Sequence, residues 1–215
     1  MRKYNFNEHY FDNIDCQEKA YWLGFFAADG YNHQSKGYIE FRLHNQDREI
    51  LERFKSSLGA TNPIGLYKNT YCNLTLYSNH LCAILSEYGL SQAKTYSLQI
   101  PVLNNELMRH FIRGYFDGDG CFSVIKRKDR TEHSLIYQFN ITGMEEPLRI
   151  MQMHLIDNVG VVDNGLKSRS STSAVTIHYS GRKVCKRILD YLYKDAVIYL
   201  QRKYNKYQEY CISAE

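Results

Sequence analysis

Trp22-Leu23-Gly24-Phe25-Phe26-Ala27-Ala28-Asp29-Gly30 and Ile112-Arg113-Gly114-Tyr115-Phe116-Asp117-Gly118-Asp119-Gly120 spell one nine-residue pattern twice in a single chain. In each copy a glycine and a small residue stand four apart, Gly24 with Ala28 and Gly114 with Gly118, which places them on one helical face. A helix stripped of side chains along that face lets a second helix approach backbone to backbone. If the two copies pack on each other, Asp29 and Asp119 arrive side by side at their shared end, each followed by a glycine suited to a left-handed cap. Two carboxylates brought together repel unless a cation lies near them, and oxygen donors suit a hard divalent ion.

One Asp-Gly dipeptide would be an ordinary turn. Here the similarity runs on downstream. Residues 38–44 and 137–142 alternate apolar and polar with period two, as half-buried strands do. After each comes a helical segment, then 65–69 against 165–169, then a second alternating strand, 73–77 against 175–179. The chain reads as an internal duplication of class α+β. Expected helices cover 15–29, opened by a capping box at Asp15-Cys16-Gln17-Glu18, then 47–58, 80–88, 105–119, 147–156, 182–193 and 196–210. Residues 1–14 form an arm, and no low-complexity linker separates the halves between residues 91 and 104.

The charge balance is modest: 27 Lys plus Arg against 23 acidic residues, a formal +4 over 215 residues. That balance does not by itself identify a nucleic-acid partner, although Lys126-Arg127-Lys128-Asp129-Arg130 concentrates basic charge at one hairpin tip. The six cysteines lack zinc-ligand spacing and read as reduced thiols. With no bilayer-length apolar run and no signal segment, the expected location is cytoplasmic and nucleoid-associated, with no membrane contact.

The doubled motif and the repeat behind it resemble the LAGLIDADG homing endonuclease family, in its single-chain, two-motif form, over nearly the whole chain. The resemblance implies two pseudo-symmetric αββαββα subdomains, 1–100 and 101–215, with the motif helices at the central interface (Gly24, Ala28, Gly114, Gly118) and antiparallel sheets forming a saddle over duplex DNA. It implies that Asp29 and Asp119 are catalytic and hold Mg2+, with Mn2+ able to substitute, helped by the backbone carbonyls of Ala28 and Gly118. The implied activity is site-specific double-strand cleavage of a long, nearly palindromic target by a monomer. Ala27 stands where the second copy has Asp117, a position that does not bind metal in the family. The lysine that many members carry on the strand before the last helix of each half is absent, since Thr75, Thr176 and His178 occupy that region. Asn45 resembles a water-positioning amide, with Gly143 at the matching place, and His178 is a second candidate for the water network.

Strand alternation assigns the DNA face. With Ile39, Phe41 and Leu43 toward the core, Tyr38, Glu40, Arg42 and His44 point away from it, and Asn73, Ser123, Gln138 and Asn140 join them. Arg42, Gln138 and Asn140 have the donor patterns that read base edges. Arg127 continues outward from Ser123 and Ile125, while Lys68, Lys126, Lys128, Lys167 and Arg169 suit phosphates. The tyrosines, 19 in all, are expected to be half-buried packing groups. Two other readings stand beside cleavage: a non-cleaving binder of the same fold, such as an RNA maturase acting on intron RNA or a transcriptional regulator, and an intein-embedded nuclease, which the chain ends Met1-Arg2 and Ser213-Ala214-Glu215 disfavour.

Overall fold

The computed structural model describes residues 3–91, 100, 102–126, 135–168 and 173–212. The first half runs α1 (Gln17–Asp29), β1 (Gly30–His33), β2 (Tyr38–His44), α2 (Arg48–Ser57), β3 (Gly65–Tyr67), β4 (Tyr71–Tyr77) and α3 (Asn79–Glu87). The second runs α4 (Asn105–Asp119), β5 (Gly120–Lys126), β6 (Leu135–Gly143), α5 (Glu145–Val159), β7 (Lys167–Ser168), β8 (Val175–Ser180) and α6 (Arg182–Tyr193), followed by α7 (Gln201–Ile212). Each half builds a four-stranded antiparallel sheet, in the orders β1-β2-β4-β3 and β5-β6-β8-β7. The fold is therefore mixed α and β in two pseudo-symmetric αββαββα halves, with α7 added at the end.

α1 and α4 are buried together at the centre. Tyr21, Trp22, Leu23, Phe25 and Phe26 of α1, and Phe111, Ile112 and Phe116 of α4, are almost wholly inaccessible. A continuous apolar cluster reaches from them into both sheets. The sheets contribute one face each: Ile39, Phe41, Leu43, Leu74 and Leu76 in the first, Tyr137, Phe139, Ile141 and Ile177 in the second. Burying α1 on nearly every side removes the one-sided hydrophobic stripe of a surface helix, so the spacing of its glycine and alanines carries the information instead.

Three expectations about local structure are corrected. The capping box at Asp15 does not form: Cys16 is the N-cap and offers no side-chain bond, Glu18 accepts from Tyr10 Oη at 2.7 Å, and Asp15 pairs with Lys19 at 3.1 Å. The glycines after the motif aspartates are not left-handed caps. Gly30 has φ −76° and Gly120 φ −83°, both extended, so the chain passes directly from helix to strand. Glycine is needed for space: a Cβ on Gly30 would press into the Phe26 ring, and one on Gly120 would lie 2.5 Å from the Phe116 carbonyl oxygen. The last helix starts at Gln201, five residues later than expected, because residues 196–200 form an irregular connection.

Residues 3–14 form more than a free arm. Phe11 is fully buried, Asn7 N–H donates to the Leu58 carbonyl, and Asp12 accepts from His80 at 2.6 Å, so the segment is strapped across the first half.

Candidate active site and DNA-binding face

The two motif helices approach so closely that neither glycine can carry a side chain. A Cβ on Gly24 would drive into the Phe111 carbonyl and lie 3.0 Å from Tyr115 N, and one on Gly114 would drive into the Tyr21 carbonyl and lie 2.8 Å from Phe25 N. One turn further on, the Cβ position of Gly118 meets the Ala28 methyl and sits 3.1 Å from Asp29 Oδ2. The Asp29 carboxylate thus lies against the backbone that carries Asp119. Both charges act on Tyr115, whose hydroxyl is pushed above its ordinary range by burial first and by Asp119 and Asp29 next. The donor set at this shared helix end is carboxylate and carbonyl oxygen, as a magnesium-type ion requires.

The sixth motif position explains its own asymmetry. Asp117 is completely buried and accepts from Tyr193 Oη at 2.6 Å, Leu200 N–H at 2.7 Å and Tyr21 Oη at 2.9 Å. Burial raises its carboxyl above the usual range, against the pull of Lys203 and of those donors. Asp117 therefore ties α1, α4, α6 and the connection to α7 together. Ala27 has no comparable polar atoms to satisfy. Strand register corrects the match expected between Gly143 and Asn45: Gly30 pairs with Phe41 and Gly120 with Ile141, which sets Gly143 against Leu43. A Cβ on Gly143 would lie 2.5 Å from the Tyr115 hydroxyl oxygen. The first-half counterpart, Phe25, has no hydroxyl.

Lys203 was missed by sequence reading. Its Nζ, largely buried, donates to the carbonyls of Phe116 at 2.6 Å, Gly120 at 2.6 Å and Gly118 at 3.3 Å. Burial brings its pKa down to about 8, opposed by the attraction of Asp117 and Asp29. The available signal was helical spacing: Lys203, Tyr207 and Tyr210 share one face of α7, and Lys203 and Tyr210 are its two buried residues. The Gly118 carbonyl, offered to a metal by resemblance, is thus already an acceptor for an ammonium.

The outward sheet faces are assembled by register. Glu40 pairs across from Thr75, Arg42 from Asn73, and His44 from Tyr71. Arg42 reaches Glu40 at 3.3 Å and lies over the Tyr67 ring, while Asn73 Nδ2 donates to Glu40 at 3.2 Å. Asn45 follows at the exposed end of β2, its N–H on the Thr70 carbonyl. In the second half Ser123 faces Gln138 and Asn140 faces His178, whose Nδ1 lies 2.7 Å from Asn140 Oδ1. Burial, then Lys167, lowers the His178 pKa. Lys167 is exposed at the outer strand, and Lys68 sits at a hairpin tip with φ +51°, its ammonium over the Tyr67 ring. Lys126 has the strand parity of Phe122, opposite to Ser123. Arg127, Lys128 and Arg169 lie outside the described residues. The expectation for the tyrosines needs correction: Tyr67, Tyr71 and Tyr77 are 46%, 42% and 61% exposed, and Tyr31, His33, Tyr38 and Tyr77 form a chain of ring contacts across the first sheet's outward face.

A paired-acid helix junction between two four-stranded antiparallel sheets defines a two-motif, pseudo-symmetric scaffold, and sequence comparison assigns the family. Residues 112–214 match the model described as LAGLIDADG endonuclease, and residues 17–86 match the LAGLIDADG-like domain. The chain belongs to the LAGLIDADG family, in its two-motif form. Among curated proteins it is 28% identical over 192 residues to reverse gyrase of Methanocaldococcus jannaschii, covering 88% of this chain and 11% of that protein. Over 111 residues it is 28% identical to the replication factor C small subunit of the same organism, covering 48% and 6%. The chain thus spans about a tenth or less of these relatives' length. Among solved structures, the meganuclease I-SmaMI bound to uncleavable DNA superposes with TM-score 0.65 at 17% identity, covering 89% of this chain and 87% of that one. The LAGLIDADG meganuclease I-AabMI bound to uncleaved DNA gives 0.65 at 15% identity, covering 90% and 88%. I-SmaMI bound to uncleaved DNA in the presence of calcium ions gives 0.64 at 17%, covering 89% and 88%. Among the described residues no helix is long and apolar enough to cross a membrane.

Proposed function

We propose that the chain is a monomeric, site-specific double-strand DNA endonuclease built of subdomains 1–100 and 101–215, hydrolysing phosphodiester bonds at a long, nearly palindromic target with Mg2+. The observation that carries this reading is the placement of the Asp29 carboxylate against Gly118, next in the chain to Asp119, on helices whose backbones meet directly at Gly24 and Gly114. Asp29 and Asp119 would hold the cation, with the Ala28 and Gly118 carbonyls as further oxygen donors. Divalent magnesium in such a site supplies a lowered water pKa and charge neutralisation at the leaving oxygen. The residues around it supply position. Gly24 and Gly114 set the spacing of the two carboxylates, and the closely packed aromatic core keeps that spacing from relaxing. The outward sheet faces bind the duplex on either side, Arg42, Gln138 and Asn140 toward base edges and Lys68 and Lys167 toward phosphates. Asn45, and His178 in its hydrogen bond with Asn140, would order water near the phosphate. The DNA named with I-SmaMI and I-AabMI supports a duplex partner for this scaffold.

Asp29→Asn and Asp119→Asn should each abolish plasmid linearisation while leaving gel-shift affinity within roughly tenfold, because each removes a metal ligand without adding bulk. Linearisation at the wild-type rate by either variant would end the metal-site assignment.

A further inference from the structure

Among the described residues, one group away from the helix junction gathers metal-binding side chains: His9, Asp12 and His80, one ligand atom of each lying within 4.8 Å of the other two. A turn supplies the first two, the Asp12 N–H donating to the His9 carbonyl at 3.2 Å. The third comes from the first turn of α3, 68 residues beyond Asp12. Both rings converge on one carboxylate. His9 Nδ1 lies 2.8 Å from Asp12 Oδ2, His80 Nε2 lies 2.6 Å from Asp12 Oδ1, and the ring centroids stand 4.4 Å apart. The backbone around them is fixed: Phe11 is fully buried, its carbonyl accepts from the Tyr88 hydroxyl at 3.1 Å, and Glu8 accepts from the hydroxyl of Ser78, the N-cap of α3. Donors held in place before an ion arrives cost less entropy when it binds.

We propose that His9, Asp12 and His80 form a binding site for a divalent transition ion of the zinc class, which clips the N-terminal strap to α3. Two imidazoles and a carboxylate are donors that such ions favour, whereas an all-oxygen set suits magnesium. An ionised carboxylate only accepts, so each ring presents an N–H to Asp12; on binding, that proton passes to the ring's other nitrogen and the freed lone pair meets the ion. A tetrahedral zinc with bonds of about 2.0 to 2.2 Å holds its ligand atoms about 3.4 Å apart. The two N···O separations open and the ring nitrogens close, each by about 1 Å, a movement within reach of side chains that are 33% to 64% exposed. With three protein ligands, the fourth position takes water. The site is independent of the endonuclease reading, since none of its donors belongs to a motif helix.

The test titrates ZnCl2 into the full, chelator-stripped chain. Calorimetry should show one ion bound per chain with a micromolar or tighter Kd that excess Mg2+ leaves unchanged, and a hundredfold excess of zinc over Kd should raise the melting temperature by about 5 to 10 °C. His9→Ala and His80→Ala should each weaken zinc binding by at least about tenfold, since loss of even an outer partner of a ligand typically costs about 10- to 100-fold. In chelator both variants should melt close to the wild type, because the rings they lose are partly exposed. Co2+ in place of zinc should give the visible absorption of a tetrahedral nitrogen–oxygen site without the near-ultraviolet band of thiolate ligation. Binding no tighter than millimolar, binding at full strength after either substitution, or a thiolate band overturns the proposal. Should a variant fail to fold, wild-type protein labelled with 15N-histidine decides: the ring nitrogens of His9 and His80 should shift on adding zinc, and resonances that stay in place overturn the assignment.

Discussion

Asp117 and Ala27 occupy the same motif position, yet their surroundings differ completely. The three bonds to Asp117 come from Tyr21, Tyr193 and the Leu200 backbone, none within the turn that carries it. Asp117→Asn keeps the shape but substitutes an N–H donor where one of those donors needs an acceptor. Breaking a buried charged network typically costs about 3 to 5 kcal/mol, and urea unfolding should show a loss of that order. A loss under about 1 kcal/mol would mean that the network contributes little. Arg42 is a different kind of residue. Exposed, and held among the described residues by Glu40 and the Tyr67 ring, it can turn toward a base edge at small cost. Arg42→Ala should therefore weaken binding by about 1 to 3 kcal/mol and relax preference at one position of a substituted-site library, leaving other positions as they were.

Among the elements, the α1–α4 pair has the least tolerance. Overpacking usually costs about 1 to 3 kcal/mol, and more where backbone stands in the way, as the Tyr21 and Phe111 carbonyls do here. Gly114→Leu and Gly24→Leu should lower the melting temperature and reduce cleavage further than stability, since parting the helices also parts Asp29 from Asp119. Two stable, fully active variants would contradict the geometry. The hairpin between β3 and β4 has the opposite character. Its tip residues Lys68 and Asn69 are exposed and left-handed, so side-chain changes there cost little packing. Lys68→Ala should reduce the slope of log affinity against log salt by about one and weaken all DNA sequences alike; an unchanged slope would place the tip away from phosphates.

At the scale of the molecule, a buried polar seam joins α4 to α6 and the connection beyond it. Arg113 donates to the carbonyls of Leu192 and Ile198 at 3.2 Å and to His110 Nδ1 at 2.6 Å. Burial, then the charges of Arg113 and Arg109, lowers the His110 pKa to about 3. The native ring thus stays neutral where the unfolded one, near 6.5, takes up a proton, so the unfolded state gains as pH falls from about 6.5 to about 3. His110→Gln retains an acceptor without titrating. Its stability should decline less steeply with acidification in that window, by about 1.4 kcal/mol per pH unit, as read from urea unfolding at pH 4 to 7. Parallel curves for the two proteins would show that the ring is protonated in the native state.

Period and spacing are local properties, and the sequence alone carried what depends on them. The duplication, the strand phases that bury Ile39, Phe41 and Leu43, and the Gly24/Ala28 and Gly114/Gly118 faces were legible because each needs only neighbours three, four or two residues away. What the sequence left hidden depends on partners far along the chain. Glu18 forsook a capping box because Tyr10 was within reach, and Gly30 and Gly120 proved extended because aromatic rings, not turn angles, exclude a side chain there. Asp117 found its donors 76 to 96 residues away, and Lys203 its carbonyls 83 to 87 residues away. Helical spacing could place Lys203 on the buried face of its helix but could not name its partners, because the groups that stabilise a buried charge are brought together only by the packed core.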